Sequence, residues 1–333
     1  MKYSIQFLSI LIFCSLTSFA QDSTVNNLVH PKQYSTAPWG QLGDIRQLGT
    51  GPIDMILLPG WGFDGTIFND FMDRHQKDYR MFAVTFPGFG GTAAPPMPED
   101  NETFSNLYWT NGLIKAINDL IEKEKLNKPV LVSCFTYSNI IAMRMALDHA
   151  EKVSKVVIVS GMAKFTLNYP SYEPRSLEAR QYYVDNLLSK KWFKTVTKTT
   201  WDNGNFHPGI FTKDSIKAAL YWEMMSSVPI PTMVRYLCEY YCTDLSLEYD
   251  RLAVPVLVVV PSFSNEFLSD PKHNYAAPFF HSSWLGAMPA SKKIFITTIQ
   301  DSNAFIMEDQ PEKLDAVIAE FLKESFKGIA PLR

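Results

Sequence analysis

A chain of 333 residues with 46% hydrophobic and 20% charged residues has ordinary globular chemistry, enough for one large core or a core with an added layer. A formal net charge of -3 leaves no electrostatic case for nucleic acid or an anionic membrane surface as partner. Aromatic residues reach 14%, and many of them crowd the middle third.

The N-terminus has its own chemistry. Lys2 precedes an apolar segment, Phe7 to Leu16, followed by Ser18-Phe19-Ala20 and then Gln21-Asp22. A positive start, a short apolar stretch and small residues at -3 and -1 predict a secretory signal peptide over residues 1–20, cleaved after Ala20. The expected location is therefore secreted or periplasmic. The apolar run is too short to cross a bilayer, so no stable membrane span is expected after cleavage. Residues 21–40 are polar and aperiodic, which reads as a linker.

The folded part opens with a possible edge strand at Ile45 to Leu48. Asp54 to Leu58 is a continuous apolar run stopping at Pro59-Gly60-Trp61-Gly62, a buried strand ending in a glycine turn. Phe63 to Tyr79 carries Ile67, Phe68, Phe71 and Met72 at helical spacing. Met81 to Phe86 predicts another strand, closed by Pro87-Gly88-Phe89-Gly90-Gly91. No lysine follows in the place a phosphate-binding loop requires, so these glycines are turn chemistry. The proline-rich stretch 93–100 is a loop, and Leu113, Ile117, Leu120 and Ile121 mark an amphipathic helix.

Val130 to Ile141 then reads as strand, tight turn and helix, and Val156 to Val159 as a further strand. Residues 163–250 break the alternation with helical patterns and aromatics, Tyr182, Trp201, Tyr221, Tyr236 and Tyr240 among them. Strands resume at Val254 to Val260 and Lys293 to Thr297. A final helix has Leu314, Val317, Ile318, Phe321 and Leu322 in one apolar stripe. Apolar strands alternating with helices predict an α/β fold: a mostly parallel central sheet with helices on both faces, plus a helical cap insertion. The core comprises residues 21–162 and 251–333, the cap 163–250. Ligands of such sheets bind at the carboxyl ends of the strands, where the turns at Pro59, Ser133 and Gly161 lie.

The mature chain holds Cys134, Cys238 and Cys242, and the odd count leaves at least one thiol free. Cys238 and Cys242 share a helix face, which suits a disulfide, a soft-metal pair or two buried small hydrophobes. Asn101-Glu102-Thr103 matches a glycosylation sequon, a pattern short enough to arise by chance.

From about residue 53 onward the chain resembles an α/β-hydrolase with a helical cap. Leu57-Leu58-Pro59-Gly60-Trp61-Gly62 resembles that family's strand ending in H-G-x-G, with Pro59 in the histidine's place. Val84-Thr85-Phe86-Pro87-Gly88-Phe89-Gly90 resembles its D-x-P-G-x-G turn. Ala304-Phe305-Ile306-Met307-Glu308-Asp309-Gln310-Pro311 resembles the segment carrying its catalytic histidine. Ser133-Cys134-Phe135-Thr136-Tyr137 occupies the nucleophile elbow, G-x-S-x-G.

The resemblance implies ester-type hydrolysis without cofactor or metal, by a serine, a histidine and a carboxylate. The corresponding places here are Phe135, Ala304 and Ser264, and none carries the needed group. The backbone N–H groups of Trp61 and Thr136 are the implied oxyanion donors, with Cys134, Tyr137 and Phe305 as further pocket candidates. Two readings stay open. One is an exported, catalytically impaired protein that binds a small apolar ligand or a partner between core and cap. The other is an active ester or C–C bond hydrolase with a relocated nucleophile, Cys134 or a serine near the elbow, served by His207, His273 or His281. His75 and His149 are expected in helices remote from the strand ends.

Overall fold

The computed structural model describes residues 40–165, 176–205, 207–271, 273, 276–284, 290–323 and 326. The expected signal peptide, its cleavage point, His30 and nearly all of the linker lie outside the described residues. Among those described, seven strands form one sheet: β1 (Ile45–Leu48), β2 (Ile53–Leu58), β3 (Tyr79–Val84), β4 (Val130–Cys134), β5 (Val156–Val159), β6 (Val256–Ser262) and β7 (Ile294–Gln300). Their order is β1-β3-β2-β4-β5-β6-β7. Only β1 runs antiparallel, against β3 at the edge; the other pairings are parallel. The apolar runs explain this arrangement, since Met55 to Leu58, Leu131, Val156 to Ile158 and Val256 to Val259 are all fully buried.

Some boundaries move from their sequence positions, for physical reasons. The predicted helix over 63–79 is a 3-10 turn (Gly65–Phe68) and then α1 (Asn69–His75), because Tyr79 already pairs with Ile53 as β3 begins. β6 extends to Ser262 through Pro261, which the sequence places beyond the strand's end. Its last register partner on β5 is Val159, opposite Val259, so beyond that point Pro261 faces only Ile299 of β7 and no second ladder needs its missing N–H. The amphipathic stripe in α2 (Tyr108–Lys123) is buried as expected, and α3 (Ser138–Asp148) follows the elbow under the sheet.

Between β5 and β6 the described residues are helical: α4 (Leu177–Tyr183), α5 (Ser189–Thr195), α6 (Lys198–Asn205), α7 (Ser215–Ser227) and α8 (Ile230–Tyr241). Short helices α9 (Asn265–Ser269) and α10 (Ala276–His281) join β6 to β7, and α11 (Ile306–Asp309) leads into α12 (Pro311–Leu322). Cys238 and Cys242 are free thiols, both fully buried, and burial pushes each thiol's pKa up. No group of three or more metal-ligating side chains occurs among the described residues. Nor is any helix among them long and apolar enough to cross a membrane.

One contact fixes the cap to the core. α2 starts after Leu107, held at φ 51°, which offers no side-chain cap, and Asn106 Oδ1 accepts the first N–H, that of Tyr108, at 3.1 Å. The next two orphan N–H groups are met from across the molecule by Glu239 of α8. Glu239 accepts the N–H of Trp109 (3.0 Å), the N–H of Thr110 (2.8 Å) and the Thr110 hydroxyl (2.8 Å). Arg235, one turn earlier on α8, donates its Nε to the same carboxylate at 2.9 Å, and the pair is 1% and 0% exposed. Four donors saturate one carboxylate, and the helix N-terminus adds its positive end. Glu239→Ala would strand the Arg235 charge and orphan two backbone N–H groups in the interior. We expect a loss of about 3–5 kcal/mol in denaturant unfolding, with Glu239→Gln falling between it and the native protein.

Candidate functional site

The carboxyl ends of β2, β4 and β5 lie side by side in the sheet, and the elbow follows the middle one. β4 ends at Cys134 and α3 starts at Ser138, so the chain must reverse within three residues. It does so with Phe135 at φ 64° and Thr136 at φ 60°, left-handed backbone that non-glycine residues seldom adopt. Gly60 makes this possible. A Cβ there would sit 2.3 Å from the Phe135 carbonyl oxygen, so only glycine lets the β2 turn approach the elbow.

The Phe135 side chain points into an aromatic cluster and is 7% exposed. Its ring meets Phe63 at 5.7 Å, Phe211 at 5.7 Å, Phe305 at 5.6 Å and Phe280 at 6.1 Å between centroids. The first three contacts are edge-on, the favourable geometry for aromatic quadrupoles. Phe63, Phe211 and Phe305 also touch one another, and Tyr221 of α7 closes the cluster against Phe305 at 4.6 Å. The Tyr221 hydroxyl donates to the nearly buried Glu308 carboxylate at 2.5 Å. Burial, reinforced by that carboxylate, raises the Tyr221 phenol, which stays protonated.

Ala304 is fully buried beside this cluster, and its backbone makes three elements meet. Its N–H donates to the Ile210 carbonyl of the cap at 2.9 Å, and its own carbonyl accepts the Ser160 hydroxyl. The next N–H, Phe305, donates to the Phe211 carbonyl at 2.6 Å. The place of the family's histidine therefore pins the cap down. Ser264 serves as the N-cap of α9, its hydroxyl accepting the Phe267 N–H at 3.1 Å.

Of the two implied oxyanion donors, the Thr136 N–H is directed at the Ser160 carbonyl, 3.4 Å away. Trp61 is half-buried; its indole donates to the Met233 carbonyl of the cap at 3.0 Å and stands edge-on to Trp201. Cys134 lies wholly inside, its Sγ against the Met307 sulfur at 3.6 Å, and burial drives its thiol pKa far up. That environment suits a packed thiol and opposes a thiolate nucleophile. Tyr137 is fully buried behind the elbow, its hydroxyl bonded to Thr110 at 2.7 Å and so joined to the Glu239 network. The Ser138 hydroxyl donates to the Cys134 carbonyl. Ser133 Oγ and Thr136 Oγ1 are buried without a partner.

The histidines divide among other tasks. His281 Nε2 faces the Pro261 carbonyl at 3.2 Å. His273 stacks on Phe267 at 4.1 Å, within 3.9 Å of the Asp270 carboxylate and 6.1 Å of the His207 ring. His75 lies between Asp315 and Asp78, and His149 follows the end of α3. Sequence reasoning named Phe135 and Phe305 but missed Phe63, Phe211 and Glu308 as their neighbours. Phe211 follows a proline and a glycine, with no periodic signal to give it a direction.

A model of the alpha/beta hydrolase family matches residues 55–317. The pimeloyl-[acyl-carrier protein] methyl ester esterase of Vibrio campbellii is 26% identical over 145 residues, 43% of this chain and 50% of the esterase. The chain thus spans about half the length of that relative. Epoxide hydrolase 3 of Xenopus tropicalis is 21% identical over 287 residues, 82% of this chain and 72% of that protein. Among solved structures, the enol-lactonase from Burkholderia xenovorans superposes with a TM-score of 0.61 at 13% identity, covering 84% of this chain and 95% of its own. At that identity the likeness speaks for the fold alone.

Truncation tests whether Phe135 is a structural keystone. Phe135→Ala removes the ring at the centre of the cluster, and we expect it to lower stability by about 3–5 kcal/mol in denaturant melts. Ser264→Ala, which removes only a helix cap, is expected to lose about 0.5–2 kcal/mol.

Proposed function

Because the chain belongs to the alpha/beta hydrolase family yet has Phe135 at its elbow, we propose that it is a catalytically impaired member that acts by binding rather than by turnover. The observation that carries this reading is the Phe135 ring itself, packed among Phe63, Phe211, Phe280 and Phe305 where an acyl group would have to sit. Acyl transfer needs a nucleophile, a base within about 3.2 Å of its proton, and donors aimed at the developing oxyanion. Phe135 and Ala304 supply no reactive atom, and the Thr136 N–H is engaged by Ser160. The bound species is a small apolar molecule or a partner received between core and cap.

The rival reading, an active ester hydrolase with a relocated nucleophile, draws support from the methyl ester esterase that resembles 43% of the chain. Its candidate groups are poorly placed for the work. The Cys134 thiol is desolvated, the Ser138 hydroxyl is committed to a carbonyl, and the His273 and His281 contacts above are with Phe267, Asp270 and Pro261. A fluorophosphonate probe and p-nitrophenyl butyrate separate the two. We expect no covalent adduct by intact mass and no turnover above buffer. An adduct on any serine or cysteine would overturn the proposal and favour the rival.

The reading also includes export, on the strength of Lys2, the apolar segment Phe7 to Leu16 and Ser18-Phe19-Ala20. Mass spectrometry of the native protein from a periplasmic or extracellular fraction is expected to find Gln21 as its first residue. A mature protein beginning at Met1, recovered with the cytoplasm, would contradict it.

A further inference from the structure

At the amino edge of the parallel strands, opposite the elbow, the turn 76–78 joins α1 to β3. The turn is tightly seated. The Asp78 N–H donates to the His75 carbonyl at 3.0 Å, and the Thr50 N–H donates to the Gln76 carbonyl at 3.0 Å. Gly51 comes so close that a Cβ there would stand 2.0 Å from the Asp78 carbonyl carbon. His75, the last residue of α1, links this turn to the final helix. Its Nδ1 lies 3.2 Å from Asp78 Oδ2, and its Nε2 lies 3.0 Å from Asp315 Oδ2 of α12.

Ionised carboxylates only accept, and a neutral imidazole has one N–H and one lone pair. Between two carboxylates a neutral ring must turn its lone pair on one of them, so the imidazolium is the form that satisfies both. The other groups around the ring fit that form. Arg74 of α1 donates to Asp315 from Nε at 2.9 Å and from a terminal nitrogen at 3.2 Å. His75, Arg74, Asp78 and Asp315 thus balance in charge with the ring protonated, and carry an uncompensated negative charge without the proton. Phe71 of α1 and Tyr79 of β3 flank the ring at 4.8 Å and 5.4 Å, and burial keeps the Tyr79 phenol protonated. The bond to Asp315 raises the His75 pKa above its ordinary 6.5; burial opposes that rise, Asp78 adds to it, and Arg74 opposes it more weakly.

We propose that His75 is a proton-operated tie: as an imidazolium it fastens the turn 76–78 to α12, and on losing a proton it keeps Asp315 and lets Asp78 go. Nε2 retains the remaining proton because the Asp315 side chain is 15% exposed and has little water to turn to, whereas that of Asp78 is 62% exposed. Nδ1 then presents a lone pair to Asp78. The carboxylate is repelled into solvent, and the turn loses its side-chain link to the final helix. A histidine whose folded pKa stands above the unfolded one stabilises the protein fully below about pH 6.5, and that stabilisation is lost as pH rises through the folded value. The tie uses none of the elbow residues, so it stands or falls independently of the reading given under Proposed function.

The test follows the His75 ring by NMR in the purified protein from about pH 5 to about pH 9. The titration midpoint is expected above 6.5, and the ring nitrogen shifts at the alkaline end are expected to place the proton on Nε2. Asp315→Asn should lower the midpoint most and Asp78→Asn by less, following the order of their effects on the ring. Asp78→Asn, at an exposed carboxylate, decides the matter if Asp315→Asn does not fold. In thermal melts His75→Gln should be less stable than the native protein at about pH 6, the gap closing as pH rises. A midpoint at or below 6.5, or one unmoved in Asp78→Asn, would overturn the tie. So would a stability gap independent of pH, while a neutral ring protonated on Nδ1 would overturn the release of Asp78.

Discussion

Everything at the carboxyl edge of the sheet depends on a strained junction, the left-handed pair Phe135 and Thr136 between β4 and α3. Backbone in that region costs of order 1–3 kcal/mol per residue and persists only when its surroundings over-determine it. Here they do. The Phe135 N–H continues the ladder to Val159 at 2.9 Å, and Gly60 of the β2 turn lies against the elbow backbone. In a serine hydrolase such strain serves to present a nucleophile. In this chain the same backbone presents a phenyl ring, and full burial of such a side chain contributes about 1.5–3 kcal/mol. Edge-to-face contacts add roughly 0.5–1.5 kcal/mol apiece, and Phe135 makes three of them. Packing therefore offsets the strain without any help from catalysis.

The cap is held by buried polar contacts as well as by these rings. Glu239 completes the first turn of α2, Tyr236 bonds the Pro87 carbonyl at 2.9 Å, and Tyr240 bonds the Met162 carbonyl at 3.1 Å. Each of these hydrogen bonds would be exchanged for one to water if the cap swung away, at about 0.5–1.5 kcal/mol apiece. Opening at the elbow would also separate Phe135 and Phe305 from Phe211 and Tyr221. A cap held in this way is a fixed layer of the fold.

The sheet was legible in the sequence because parallel strands buried on both faces must be continuous apolar runs, and five such runs stood between turn signals. The elbow was legible for the same reason, Val130 to Cys134 giving way to small polar residues. The chemistry of the site was readable only as three absences, at Phe135, Ser264 and Ala304. What fills the space was not readable. Phe211 reaches Phe135, and Tyr221 reaches Phe305, across some 75 residues of chain or more, and no local pattern carries those pairings. Glu239 is the sharper case. A glutamate between Cys238 and Tyr240 in an apolar helix looks like an error of patterning until the first turn of α2, about 130 residues upstream, is placed against it.

The three absences are physically unequal, and that orders them. With a phenyl ring at 135 a histidine at 304 would have no hydroxyl to serve, and its ring would enter a site lined by Phe63, Phe211 and Phe305. A buried imidazole without a partner costs about 1–3 kcal/mol, so alanine is what the filled site favours. Ala304 thus follows from Phe135. Ser264 does not, because an aspartate there would cap α9 as well as serine does. Nothing in the packing favours serine over aspartate at that place. The substitution that carries structural consequence is the one at the apex, and Ala304 is read from it.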